Sequence, residues 1–85
     1  MRWGEEYSKA DAQMNRVYQK MLAGSSAAWQ AKLRNSQQAW IIYRDAEVKL
    51  VSQDWEGGSG QTAAVYCVLA ELSRNRIREL QERYR

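Results

Sequence analysis

The chain has 85 residues, 45% of them hydrophobic, with four Trp, five Tyr and no Phe, Pro or His; 13 basic against 10 acidic side chains leave a net charge of +3. That length supports one small domain near the lower limit for a self-sufficient core, and the apolar and aromatic content argues against disorder. No apolar run approaches the roughly 20 residues of a membrane span.

The opening, Met1-Arg2-Trp3-Gly4-Glu5-Glu6, lacks the apolar centre of a signal peptide. Two readings stay open: a cytoplasmic protein, or an exported one whose signal has been removed. Residues 1–7 read as a polar tail. The first helix is expected after Ser8, with Ser8-Lys9-Ala10-Asp11 as a capping-box variant and an apolar stripe through Ala10, Met14, Val17, Tyr18, Met21 and Leu22. Gly24 reads as a left-handed stop, and Ser25 and Ser26 as N-caps for a long second helix.

No helix breaker interrupts the stretch from Ser26 to Trp55, which reads as one helix roughly 45 Å long at 1.5 Å per residue. Trp29, Leu33, Trp40, Arg44, Val48, Val51 and Trp55 recur at spacings of three, four or seven, the pattern of one helix face. Trp29 and Trp40 are expected in the core. Ile41, Ile42 and Tyr43 add apolar surface for a second neighbour, so this helix is expected to be the spine of the bundle.

Three glycines in Glu56-Gly57-Gly58-Ser59-Gly60 make a loop. A third helix is expected from Gln61 or Thr62 almost to the C-terminus. Short connections place successive helices antiparallel. The predicted fold is all-α, three helices up-down-up, with a long second helix, and the chain reads as a single domain over residues 1–85.

Chemistry is sparse. Without His, the commonest general base and any Ser-His or Cys-His pair are missing, so no enzyme is expected. No carboxylate group has metal-loop spacing, and neither a metal nor a cofactor is expected. Arg44 shares the face of Trp40 and requires a partner if buried. Its neighbour Asp45 is judged badly placed, since adjacent residues on a helix diverge; Glu71 or backbone carbonyls are the expected partners of an inter-helix clamp.

The turn Asp54-Trp55-Glu56-Gly57-Gly58 combines acidic groups with a large ring. It is the candidate partner-binding segment, although for Trp55 itself folding back over the helix ends as a lid is the favoured reading. Arg74, Arg76, Arg78, Arg83 and Arg85 crowd the C-terminal segment, where cations complement a helix dipole. A nucleic-acid patch is the alternative reading, weakened because these residues form no single stripe. A structural or assembly role, with an oligomer, is a third.

Several segments together resemble the LprI-type family of small bacterial helical proteins. They are Asp11 to Tyr18, Gln37-Gln38-Ala39-Trp40-Ile41, Tyr43-Arg44-Asp45-Ala46, Gly57-Gly58-Ser59, Cys67-Val68-Leu69 and Leu72-Ser73-Arg74-Asn75-Arg76 with Leu80, spanning about residues 10–81. The resemblance implies a non-enzymatic binding protein of the envelope, periplasmic or secreted, with a lysozyme-like muramidase as partner. Structural roles are expected for Trp40, Arg44, Asp45, Cys67 and Arg76. The family usually carries a cysteine at the position of Val48, which would pair with the one matching Cys67. Here Val48 breaks that pair, and the family's upstream cysteine segment is missing. Cys67 is therefore expected to be reduced, largely buried and packed against Val48.

Overall fold

The computed structural model describes residues 3–54, 58 and 60–84, apart from the side chain of Trp3. It contains three helices, α1 (Trp3–Ala23), α2 (Ala27–Asp54) and α3 (Gln61–Arg83), in a rod measuring 47 × 22 × 16 Å. Among the described residues no helix is long and apolar enough to cross a membrane.

The breaks between helices obey local chemistry. The Ser25 hydroxyl donates to the Met21 carbonyl at 2.6 Å, while Ser26 Oγ accepts from the Trp29 N–H at 3.3 Å, as an N-cap should. Gln30 Nε2 reaches back to the Leu22 carbonyl at 2.8 Å and ties the two helix ends together. Gly24 does not take the expected left-handed conformation, and a Cβ there would meet nothing closer than the Lys20 carbonyl at 3.7 Å. The side-chain bonds of Ser25 and Gln30 satisfy the end of α1 without it.

The first helix begins at Trp3 rather than after Ser8. Tertiary contact outweighs the capping signal at Ser8. The Tyr7 ring lies 6.2 Å from that of Tyr66 on α3, and Glu6 and Arg74 approach to 3.9 Å. A helical first turn is what lets Tyr7 reach α3, and Glu5 and Glu6 in that turn suit the positive end of the dipole.

The arrangement is up-down-up, as the sequence predicts. On α1 and α3, residue numbers rise together: Tyr7 is beside Tyr66, Met14 packs with Ile77, and Val17 and Met21 share a hollow with Leu80 and Tyr84. On α2 and α3 they run oppositely, since Gln61 Nε2 donates to the Ser52 carbonyl at 2.8 Å while Gln37 meets Arg76.

The packing differs from expectation in one respect. The third helix, not the second, lies against both others, and α1 and α2 approach each other least. The reason lies in α3 itself, where Ala70, Ser73, Ile77 and Leu80 recur every three or four residues and are all buried; small Ala and Ser let two helices come close along one strip. The second helix buries only Leu33, Gln37 and Trp40. Trp29, expected in the core, is 54% exposed, because it sits in the first turn of α2 at the edge of the bundle. Ile42 and Tyr43 also face outward. The centre of the core is Met14, Trp40 and Ile77, one residue from each helix, with Val17, Ile41 and Leu72 packed around them.

Candidate functional site

Because both α1 and α2 lean on α3 rather than on each other, a groove of about 500 Å³ opens between them. Asp11, Met14, Asn15, Tyr18 and Gln19 form its α1 wall and Arg34, Gln37, Gln38, Ile41 and Arg44 its α2 wall. Each wall is a stripe spaced by three and four along its helix. The α1 wall carries amide, phenol and carboxylate groups; the α2 wall carries two amides and two guanidinium groups. Such a surface can hydrogen-bond an extended polar segment along its length and hold a carboxylate at either arginine.

The groove floor is fixed by a buried polar relay. Arg76 is only 5% exposed and uses three of its nitrogens: Nε to Gln37 Oε1 at 3.0 Å, Nη2 to Ser36 Oγ at 2.9 Å and Nη1 to Glu79 at 3.3 Å. Gln37 Nε2 in turn points at Met14 Sδ, 3.8 Å away. A buried guanidinium requires this much satisfaction, and its geometry sets how α2 sits on α3.

Arg44 closes one end of the groove. Its guanidinium lies 5.5 Å from the centre of the Trp40 ring, and Nε and Nη2 both donate to Asp45 Oδ1, at 3.0 and 2.9 Å. Asp45, not Glu71, is thus the partner. The long arginine side chain lies over Trp40 and turns its head back to the next residue, which shorter neighbours on a helix could not do. The pair is local to α2 and is no inter-helix clamp. Tyr7, Asp11, Arg44 and Asp45 form one electrostatic cluster. Burial raises the pKa of the Tyr7 hydroxyl, as do the charges of Asp11 and Asp45 and the nearby Tyr66, while Arg44 opposes the shift.

Cys67 is exposed, contrary to the expectation of a buried thiol. It stands nine residues before Arg76, and at about 100° per residue that is a net half turn. Since Arg76 points to α2, Cys67 lies on the far side of α3 from α2. It therefore does not face Val48 across the helix interface. Of the expected partner-binding segment, Asp54 ends α2 and is exposed, as is Gly58, whose carbonyl accepts the Gln61 N–H at 3.4 Å. Trp55, Glu56 and Gly57 lie outside the described residues.

Charge is divided along the rod. With the helices cut at their midpoints and only described residues counted, the half containing the start of α1 holds seven carboxylates (Glu5, Glu6, Asp11, Asp45, Glu47, Asp54 and Glu71) against Lys9, Arg44 and Lys49, a net −4. The other half holds eight cations (Arg16, Lys20, Lys32, Arg34, Arg74, Arg76, Arg78 and Arg83) against Glu79 and Glu82, a net +6. The groove runs between the two. The sequence showed the C-terminal arginines but not this polarity, which needs the up-down-up order to gather charges from three separate segments. Of the groove residues, Asp11 reads in the sequence as part of a capping box and Tyr18 as part of an apolar stripe, while Asn15 and Gln38 carry no role of their own there, although their spacing of three and four on two helices is a legible signal.

Fold and site together define a small three-helix protein with a polar groove and oppositely charged ends. Residues 2–80 match the family described as lysozyme inhibitor LprI, and the chain belongs to that family. It is similar to the uncharacterized protein R02472 of Rhizobium meliloti (strain 1021), with 35% identity over 92 residues, 92% of this chain and 66% of the relative. The chain thus spans just under two thirds of the relative's length. No solved structure matches it.

Proposed function

We propose that this chain is a non-enzymatic envelope protein that binds and inhibits a lysozyme-type muramidase, docking with its acidic end. Family membership supplies the class of partner. The observation on this chain that supports the reading is the division of charge. Common lysozymes are basic, so a partner of net charge +3 would gain nothing from uniform steering. A rod with a net −4 half approaches such an enzyme acidic end first. Exposed Asp54 sits at that end, and the segment after it in sequence, Trp55-Glu56-Gly57-Gly58, supplies a ring and a second carboxylate. The groove beside Arg44 then offers amide and phenol groups to a neighbouring loop of the enzyme.

The test is the rate at which a basic lysozyme clears a peptidoglycan suspension as this protein is added. Suppression that weakens with added salt is expected, and the double charge reversal Asp54→Lys with Glu47→Lys should raise the inhibitory concentration about tenfold, equivalent to roughly 1.4 kcal/mol. Absence of suppression at high micromolar concentration would overturn the function. Suppression indifferent to both salt and charge reversal would overturn the docking end. The compartment is tested separately, by fractionating cells that express the full gene and locating the protein in the periplasmic or cytosolic extract.

A further inference from the structure

The outward face of α2 is apolar and uncovered. Ile42 is 70% exposed, Leu50 64% and Tyr43 50%; Ala46, also exposed, lies between Tyr43 and Leu50, and exposed Ala39 lies one turn before Tyr43. Positions 35, 39, 42, 43, 46 and 50 advance by threes and fours along a single seam. No charge falls on that seam. The other helices leave it free because α2 meets them through Leu33, Gln37 and Trp40 on its opposite side. Single exposed apolar residues are ordinary, but a continuous stripe of them on one helix marks a contact surface.

We propose that a second copy of this chain covers this face, the two α2 helices packing antiparallel about a twofold axis between Ile42 and Tyr43. In that register Ile42 meets Tyr43 of the second copy at the axis, and Ala39 meets Ala46 about one turn to either side, so small side chains flank the central pair and admit its bulk. Charge selects the direction. Lys32 comes against Gln53 and Asp54 of the second copy, and the twofold axis repeats the pairing. A parallel arrangement would instead set Lys32 against Lys32 and Asp54 against Asp54. The seam is thus self-complementary in one orientation only, as a twofold interface requires.

One helix face gives an interface below the usual ~1,600 Å² of stable complexes. The dimer is accordingly weak, with dissociation on the order of 10 μM. It uses residues outside the groove, and its seam is separate from the acidic end except at Asp54, so it can hold or fail independently of the inhibitor reading.

Sedimentation velocity from about 1 to 500 μM should show a monomer–dimer equilibrium, with concentrations chosen to bracket that dissociation constant. Ile42→Glu should remain monomeric throughout while keeping its helix content and melting temperature, since the side chain it replaces touches little of the core. In a Cys67→Ser background, mixing Ala39→Cys with Ala46→Cys should yield disulfide-linked pairs more readily than either variant alone. A wild-type chain monomeric at 500 μM would overturn the proposal, as would a dimer untouched by Ile42→Glu. Preferential self-linking of Ala39→Cys would overturn the antiparallel register.

Discussion

Arg76 on α3 donates from Nε to the Gln37 side-chain oxygen on α2 across 3.0 Å, and the same amide presents its nitrogen to Met14 Sδ on α1 at 3.8 Å. One side chain from each helix therefore meets in the interior, so the relay reports on assembly of the whole bundle. Arg76→Ala should cost about 3 kcal/mol, because Gln37 is left buried with its acceptor unpaired. Arg76→Lys should recover less than half of that, since an ammonium cannot span Gln37, Ser36 and Glu79 together. Urea unfolding of the two single variants, Gln37→Ala and Arg76→Ala, and of the double variant should give a coupling of about 1–2 kcal/mol; simple additivity would show that the relay is not energetically joined.

Ser73 is fully buried, with 0% exposure, and its hydroxyl has no hydrogen-bond partner. Its value to the fold lies in small size at the tight strip of α3, not in its oxygen. Ser73→Ala should leave stability unchanged or raise it by up to about 1 kcal/mol. A loss above about 1 kcal/mol in thermal or urea unfolding would mean that the hydroxyl is bonded after all.

Tyr7 makes stability depend on alkaline pH. Burial, then the Asp11 carboxylate, hold its hydroxyl above the ordinary value while Arg44 opposes them. A raised native pKa contributes stability that is fully present below the unfolded value of about 10 and is lost as pH rises through the native one. Unfolding midpoints should therefore fall more steeply above about pH 10 in the wild type than in Tyr7→Phe. Equal slopes for the two would place the alkaline loss on other groups.

The single thiol should react at once with a thiol reagent in the native protein, as Cys67 is exposed. Val48→Cys should then form no intramolecular disulfide on oxidation, because Cys67 lies on the side of α3 turned away from α2, which carries position 48, and a bridge needs Cα atoms within about 7 Å. Mass spectrometry finding an intrachain bridge in that variant would refute the helix register.

The helix count and both breaks were legible in the sequence because they rest on local chemistry: the Ser25 and Ser26 caps, the glycine cluster, and the absence of Pro. The start of α1 was not, since a capping signal at Ser8 is visible locally while the Tyr7–Tyr66 contact that overrides it joins residues far apart in the chain. The packing hub was misjudged for a related reason. The second helix is apolar on more than one side, and a pattern of spacings cannot tell which stripe is covered; Trp29 and Trp40 look alike in sequence, yet only Trp40 reaches the core. Arg44 shows the same limit at one residue, because its choice of Asp45 depends on how its side chain lies over the Trp40 ring.

That α3 touches both other helices while α1 and α2 share so little sets an order of events during synthesis. The hairpin of the first two helices has almost no interior of its own, and the residues that complete Met14 and Trp40, above all Ile77, belong to the last helix made. A nascent chain therefore stays open until α3 has emerged, since the surface that would reward early collapse does not yet exist. Loss of the segment carrying Arg76, Ile77 and Leu80 would not leave two thirds of a stable protein; it would leave two helices joined at their connection but with almost no shared core.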